Sequence, residues 1–157
     1  FMGNEFGQTS EWNYKSELQW ELLQFDCHRL LKDCITELNN LLKTEPALYE
    51  NQFNKYGFEW VDLDHRAESV IVFKRKGKKP MDDLLVILNM TPVVRNDWEV
   101  YVTGKMYKKE IFNSDAKRFW GTGDAFNPEI QCQLIEESQQ KHRVIVNLPA
   151  LGGIILK

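Results

Sequence analysis

The chain has 157 residues and a mass of 18.5 kDa, enough for one domain with a real core. Its formal net charge of −3 excludes a nucleic-acid footprint, which needs a basic surface to displace counterions, and suits an uncharged polymer better. A hydrophobic fraction of 43% is ordinary for a globular domain, and no apolar run approaches the roughly 20 residues of a membrane-spanning helix.

Residues 1–25 show little helical period and are punctuated by Gly3, Gly7, Asn13 and Ser16. The opening run, Phe1-Met2-Gly3-Asn4-Glu5-Phe6, reads as an apolar strand, and a lone strand cannot satisfy its backbone groups. It is therefore expected to pack irregularly, to be poorly ordered or to pair with a second copy, and not to enter a closed sheet of this chain.

A helix follows over 26–43. Cys27, Leu30, Leu31, Cys34, Leu38, Leu41 and Leu42 recur at three- and four-residue steps, with Arg29, Lys32, Asp33, Glu37 and Asn40 opposite. This apolar stripe is expected to be buried. Asp26 is the expected N-cap, and Pro46 stops the helix.

From about residue 56 the period becomes two. Phe58 and Trp60, with Leu63, predict one strand and Val70 to Phe73 a second. Lys74 to Lys79 reads as a solvated basic hairpin tip. Leu84 to Leu88 is a buried central strand. Trp98 to Val102, Met106 to Phe112, Val144 to Leu148 and Ile154 to Leu156 bring the count to seven or eight. Asn113 to Glu137 reads as a long loop. Short strands with Gly, Pro and Asn turns predict an antiparallel sandwich.

The three cysteines are Cys27, Cys34 and Cys132. The first two are seven residues apart on one helix, about 10 Å in rise and too far to bridge. The set reads as buried thiols in a reducing compartment, so a cytoplasmic location is expected.

Several segments, in order, resemble the glycogen (1,4-α-glucan) branching enzymes of the α-amylase family. Phe1 to Gln8 with Glu11-Trp12-Asn13 is similar to the eighth barrel strand of that family and the loop after it. Ser16 to Leu23, Pro46 to Glu50, Gly57 to Trp60, Asn89 to Val93, Phe112 to Asp115 and Leu148 to Leu151 follow in the family's order. The resemblance implies a remnant of a catalytic (β/α)8 barrel over residues 1–46, with one long helix. A C-terminal all-β domain of the α-amylase type would follow over 47–157. The fold expectation is thus mainly β, an antiparallel sandwich preceded by that remnant.

The family acts through a carboxylate pair and a covalent glycosyl-enzyme. The resemblance assigns those carboxylates to earlier strands, so it implies no catalytic residue here and a non-catalytic, structural chain. It implies an α-glucan as the parent's substrate, and the rest of the barrel as the partner of residues 1–46. No cofactor, metal, nucleic acid or membrane is expected.

Asn4, Glu5 and Trp12 are the candidates for substrate contact, with Gln8 and Trp20 beside them. A carboxylate that shapes the rim and rings that pack between domains are the alternative roles. Asp62, Asp64 and Glu68 around His65 form a loose acidic set that reads as a solvated turn. His28 and His142 lack a ligand pattern, and Asn113-Ser114-Asp115 reads as turn chemistry. Two rival functions are a non-catalytic carbohydrate-binding module, favoured by a row of exposed aromatics on one sheet face, and the C-terminal domain of another α-amylase-family enzyme.

Overall fold

The computed structural model describes residues 1–157. Eight strands form two packed antiparallel sheets: β1 (Phe58–Asp62), β2 (Val70–Arg75), β3 (Leu84–Asn89), β4 (Arg95–Thr103), β5 (Glu110–Asn113), β6 (Gln131–Glu136), β7 (Lys141–Leu148) and β8 (Gly152–Leu156). The five-stranded sheet has the order β1-β2-β3-β8-β5 and the three-stranded sheet β4-β7-β6. Helix α1 (Asp26–Thr44) and the single-turn α2 (Pro46–Tyr49) precede them.

The sandwich core is apolar and β-branched. Val70, Val72, Leu85 and Ile87 from the large sheet meet Val100, Val102, Val144 and Val146 from the small one, and Tyr107 inserts beside them. In the small sheet β7 alternates throughout between buried and partly exposed positions, as does the second half of β4. The large sheet is apolar on both faces, because α1 covers part of its outer side. There Cys34, Leu38 and Leu41 pack with Ala47, Leu84, Val86, Phe112, Phe119 and Ile155.

Helix α1 covers nearly the expected span. Asp26 is not its cap: Phe25 takes that position without a capping side chain. Asp26 lies in the first turn, where its charge suits the helix dipole, and it binds Arg29 at 2.5 Å. Glu45 is extended, as the residue before a proline must be. The stripe is only partly covered. Cys34 alone is fully buried, and Leu31, Leu42 and Cys27 are exposed, so Cys27 is not the buried thiol expected. No helix is long and apolar enough to cross a membrane.

Residues 1–8 form no strand. Asn4–Phe6 is one 3-10 turn between left-handed glycines at Gly3 and Gly7. It packs on α1 through Phe6, which is fully buried, stacks near Trp20 and accepts a 2.8 Å hydrogen bond on its carbonyl from His28 Nδ1.

Four strand expectations change. β1 ends at Asp62, after a bulge that leaves Leu63 outside. β2 runs on through Lys74 and Arg75, so the basic run is not wholly a hairpin tip. Residues 106–109 are not strand: the chain crosses here from the small sheet to the large one, turning Tyr107 into the core, and pairing resumes at Glu110. The long loop of 113–137 contains a 3-10 turn at Lys117–Phe119 and the edge strand β6. In β6 the apolar residues Cys132, Leu134 and Ile135 break the period of two, too thin a pattern to register.

Candidate functional site

The N-terminal candidates do not converge on a cavity. Glu5 Oε2 accepts the Gly3 amide at 3.2 Å within its own turn. Gln8 Oε1 accepts the Gln19 amide at 3.0 Å. Trp12 is half-exposed with its ring edge toward Phe1, whereas Trp20 leans on Phe6.

The acidic turn is built around His65, whose Nε2 lies 3.1 Å from Asp62 and whose Nδ1 lies 3.6 Å from Glu68. His65 also meets the Trp98 ring edge-on. No group of three or more His, Cys, Asp or Glu side chains is arranged to hold a metal ion. His142 is buried on the inner face of β7.

Lys74 is buried at the end of the sandwich, where its ammonium donates to Glu59 at 3.1 Å and to the Thr103 carbonyl at 2.8 Å. Lys76 donates to the second Glu59 oxygen at 2.7 Å. These bonds hold the Glu59 carboxyl below the usual glutamate range, the Lys76 bond contributing most.

The main cleft lies on the opposite edge of the large sheet. Its volume is about 700 Å³, within the range of ligand sites, and its walls come from α1, β5 and the segment 113–127. Asp115 closes that segment on itself: its carboxylate accepts the Thr122 amide at 2.8 Å and the Thr122 hydroxyl at 2.6 Å. Gly121 is required there because a Cβ would run into the Asp115 carbonyl. Arg118 bridges from this segment to Glu37 of α1 at 2.5 Å and lies over the Phe119 ring.

Glu110 sits at the foot of this cleft. Its carboxylate accepts the Asn113 amide at 3.2 Å and the Asn127 amide at 2.6 Å. Burial pushes its carboxyl up, and the two amides only partly offset that. Asn127 also clamps β7, donating to the Asn147 carbonyl at 2.9 Å and accepting the Asn147 amide at 2.7 Å. Between the buried Ala125 and Asn127, the Phe126 ring stands exposed on the cleft rim.

A second exposed aromatic group lies on the β1 edge, where Phe58, Trp60 and Phe73 pack with ring centroids 4.7 to 6.0 Å apart. Sequence reasoning read Phe58 and Trp60 only as strand positions. It missed the cleft because Phe126 and Asn127 fall in a segment with no period.

The family model of the alpha amylase C-terminal all-beta domain matches residues 60–157. The chain belongs to this family. The match begins at Trp60 in β1 and takes in every later strand of the alpha amylase C-terminal domain. Over all 157 residues the chain is also similar to the 1,4-alpha-glucan branching enzyme GlgB of Aquifex aeolicus (40% identity, 25% of that protein). It is 40% identical to that of Rhodopirellula baltica, again over the whole chain and over 21% of that protein. The Prochlorococcus marinus (strain MIT 9301) GlgB is 44% identical over 122 residues, 78% of this chain and 16% of the relative. The chain thus spans about a sixth to a quarter of the length of these relatives. Among solved structures, alpha-amylase from H. orenii overlaps it with TM-score 0.46 and 20% identity, over 80% of this chain and 20% of that one.

Proposed function

We propose that this chain is the C-terminal portion of a 1,4-α-glucan branching enzyme, and that it braces the catalytic barrel of that enzyme without contributing a catalytic group. The observation that carries the reading is similarity to branching enzymes along all 157 residues at 40% identity. In this reading residues 1–46 belong to the barrel and 47–157 form the C-terminal domain. The parent transfers α-1,4 chains to 6-hydroxyls of a glycogen-like polymer, in the cytoplasm, where the three free thiols of this chain stay reduced.

Two surfaces suit bracing. The uncovered part of the α1 stripe, Leu31 and Leu42, and the Phe58–Trp60 patch are apolar and exposed, as a face that meets another domain would be. Asn4, Glu5 and Trp12 then belong to the rim of the barrel mouth, and Glu5 supports its own turn rather than the chemistry.

The test is a chimera in which this chain replaces the corresponding quarter of Aquifex aeolicus GlgB. Amylose incubated with the chimera should lose iodine absorbance and gain α-1,6 linkages, while the chain by itself leaves amylose unchanged. A folded chimera without branching, or turnover by the purified chain alone, overturns the proposal.

A further inference from the structure

Phe126 is an exposed aromatic ring on an immobilised backbone. Its neighbours Ala125 and Asn127 are buried, the Ala125 carbonyl accepting the Asn113 amide at 2.7 Å and Asn127 clamped to both Glu110 and Asn147. A depression lies on each side of the ring: the cleft over β5, and a smaller hollow beside β7 lined by Asp97, Asn127, Glu129, Gln131 and Asn147.

The chemistry of the two depressions is that of a polyhydroxylated chain. Lys109, Lys117 and Arg118 on one side and the carboxylates of Glu37, Glu110, Asp97 and Glu129 leave three cations against four anions, which selects neither sign of ligand charge. The Glu110 carboxylate accepts the Asn113 and Asn127 side-chain amides and is also approached by the Asn127 backbone amide, and its roughly four lone-pair sites leave room for one more donor, such as a sugar hydroxyl. Carboxylates, amides and amines around one aromatic face supply both acceptors and donors for hydroxyls, with an apolar surface for a sugar ring. The cleft, at about 700 Å³, has room for sugar rings, and the hollow, at about 70 Å³, for a few hydroxyls of a ligand that crosses the Phe126 ring.

We propose that the two depressions form one groove across Phe126 that binds a segment of α-1,4-glucan, holding an outer chain of the polymer away from the catalytic barrel. The identity of the sugar rests on the branching-enzyme reading; the groove itself rests on the geometry.

The experiment is titration of the ¹⁵N-labelled chain with maltoheptaose and, in parallel, cellohexaose, up to about 10 mM, above the millimolar range of a weak site. Maltoheptaose should shift amides around Phe126, Asn127 and Asn147. Phe126→Ala should weaken binding about tenfold or more without lowering the melting temperature, because the ring is exposed. Asn147→Asp keeps the side chain's shape and serves as a second variant within the hollow; it should also weaken binding. Maltoheptaose shifts confined to Phe58 and Trp60 would sink the groove and leave the branching reading standing. Cellohexaose occupying the groove in place of maltoheptaose would sink the glucan assignment and count against that reading. No shift with either sugar, or binding unchanged in Phe126→Ala, overturns the proposal.

Discussion

The large sheet ends in two edges that solve the same problem in opposite ways. At the β1 edge, Glu59 faces two lysines, one buried and one partly exposed, and the aromatic rings Phe58 and Trp60 remain open to solvent. At the β5 edge, Glu110 is held by neutral amides, and Phe112 is buried beneath α1 and Phe119. An exposed edge can be protected by charge or by cover, and this sheet uses one on each side. The difference shows why the helix matters. It covers one half of the outer face, and that half carries the second core.

The largest effect that separates the edges is aromatic truncation. Phe112→Ala removes a buried ring and should cost about 3–5 kcal/mol, whereas Phe58→Ala, at an exposed position, should cost well under half of that. Urea unfolding midpoints of the two variants check this. Equal losses would mean that the β1 edge is as well covered as the β5 edge.

A smaller effect tests the cover itself. Leu38 is only half-buried, so Leu38→Ala should cost about 1–2 kcal/mol, the low side of the range for buried leucines. Lys32→Ala, on the exposed face, should stay within about 0.5 kcal/mol. Indistinguishable melting temperatures for these two variants would show that α1 is not docked.

How much of this was legible in the sequence follows from the same contrast. Strands with dense apolar signals, Val70 to Phe73, Leu84 to Leu88 and Val144 to Leu148, could be placed from their residues. The heptad-like leucines of α1 gave the helix but not its cover, because periodicity marks a face and not what lies against it. Lys74 was misread for a physical reason: a lysine in a basic run reads as solvated unless the carboxylate across the strand is known, and Glu59 lies 15 residues earlier. The cleft was invisible because Glu110, Asn113, Asn127 and Asn147 converge only after folding, and because an asparagine network has no period. The N-terminal segment resembles a barrel strand, and its irregular 3-10 turn packed on α1 is one of the outcomes expected for a strand with no partner within this chain.

The smallest effect, and the sharpest for the comparison, is the pH dependence of the two carboxylates. The Glu59 carboxyl is lowered, chiefly by the Lys76 hydrogen bond and further by Lys74, with burial opposing both. Its folded form therefore binds a proton less readily than the unfolded chain. The stability it contributes is present above the unfolded glutamate value of about 4.3 and is lost as pH falls through the lower folded value. The Glu110 carboxyl is raised, chiefly by burial. Here the folded state holds the proton more tightly, so the favourable contribution exists below about 4.3 and disappears as pH rises through the folded value. Glu59→Gln should accordingly flatten the loss of stability on the acid side. Glu110→Gln should remove an opposite slope just above about pH 4.3, where stability otherwise declines with rising pH. The slope is the readout, because the glutamine at 110 also presents an NH₂ group to one of the two amides and loses that bond at every pH. Unfolding midpoints measured on both sides of the ordinary glutamate value of about 4.3, from the acid limit of the folded state to neutral pH, decide it. Curves for the two variants that both run parallel to the native one would show that neither edge carboxylate is coupled to folding, and the division between charge and cover would fall.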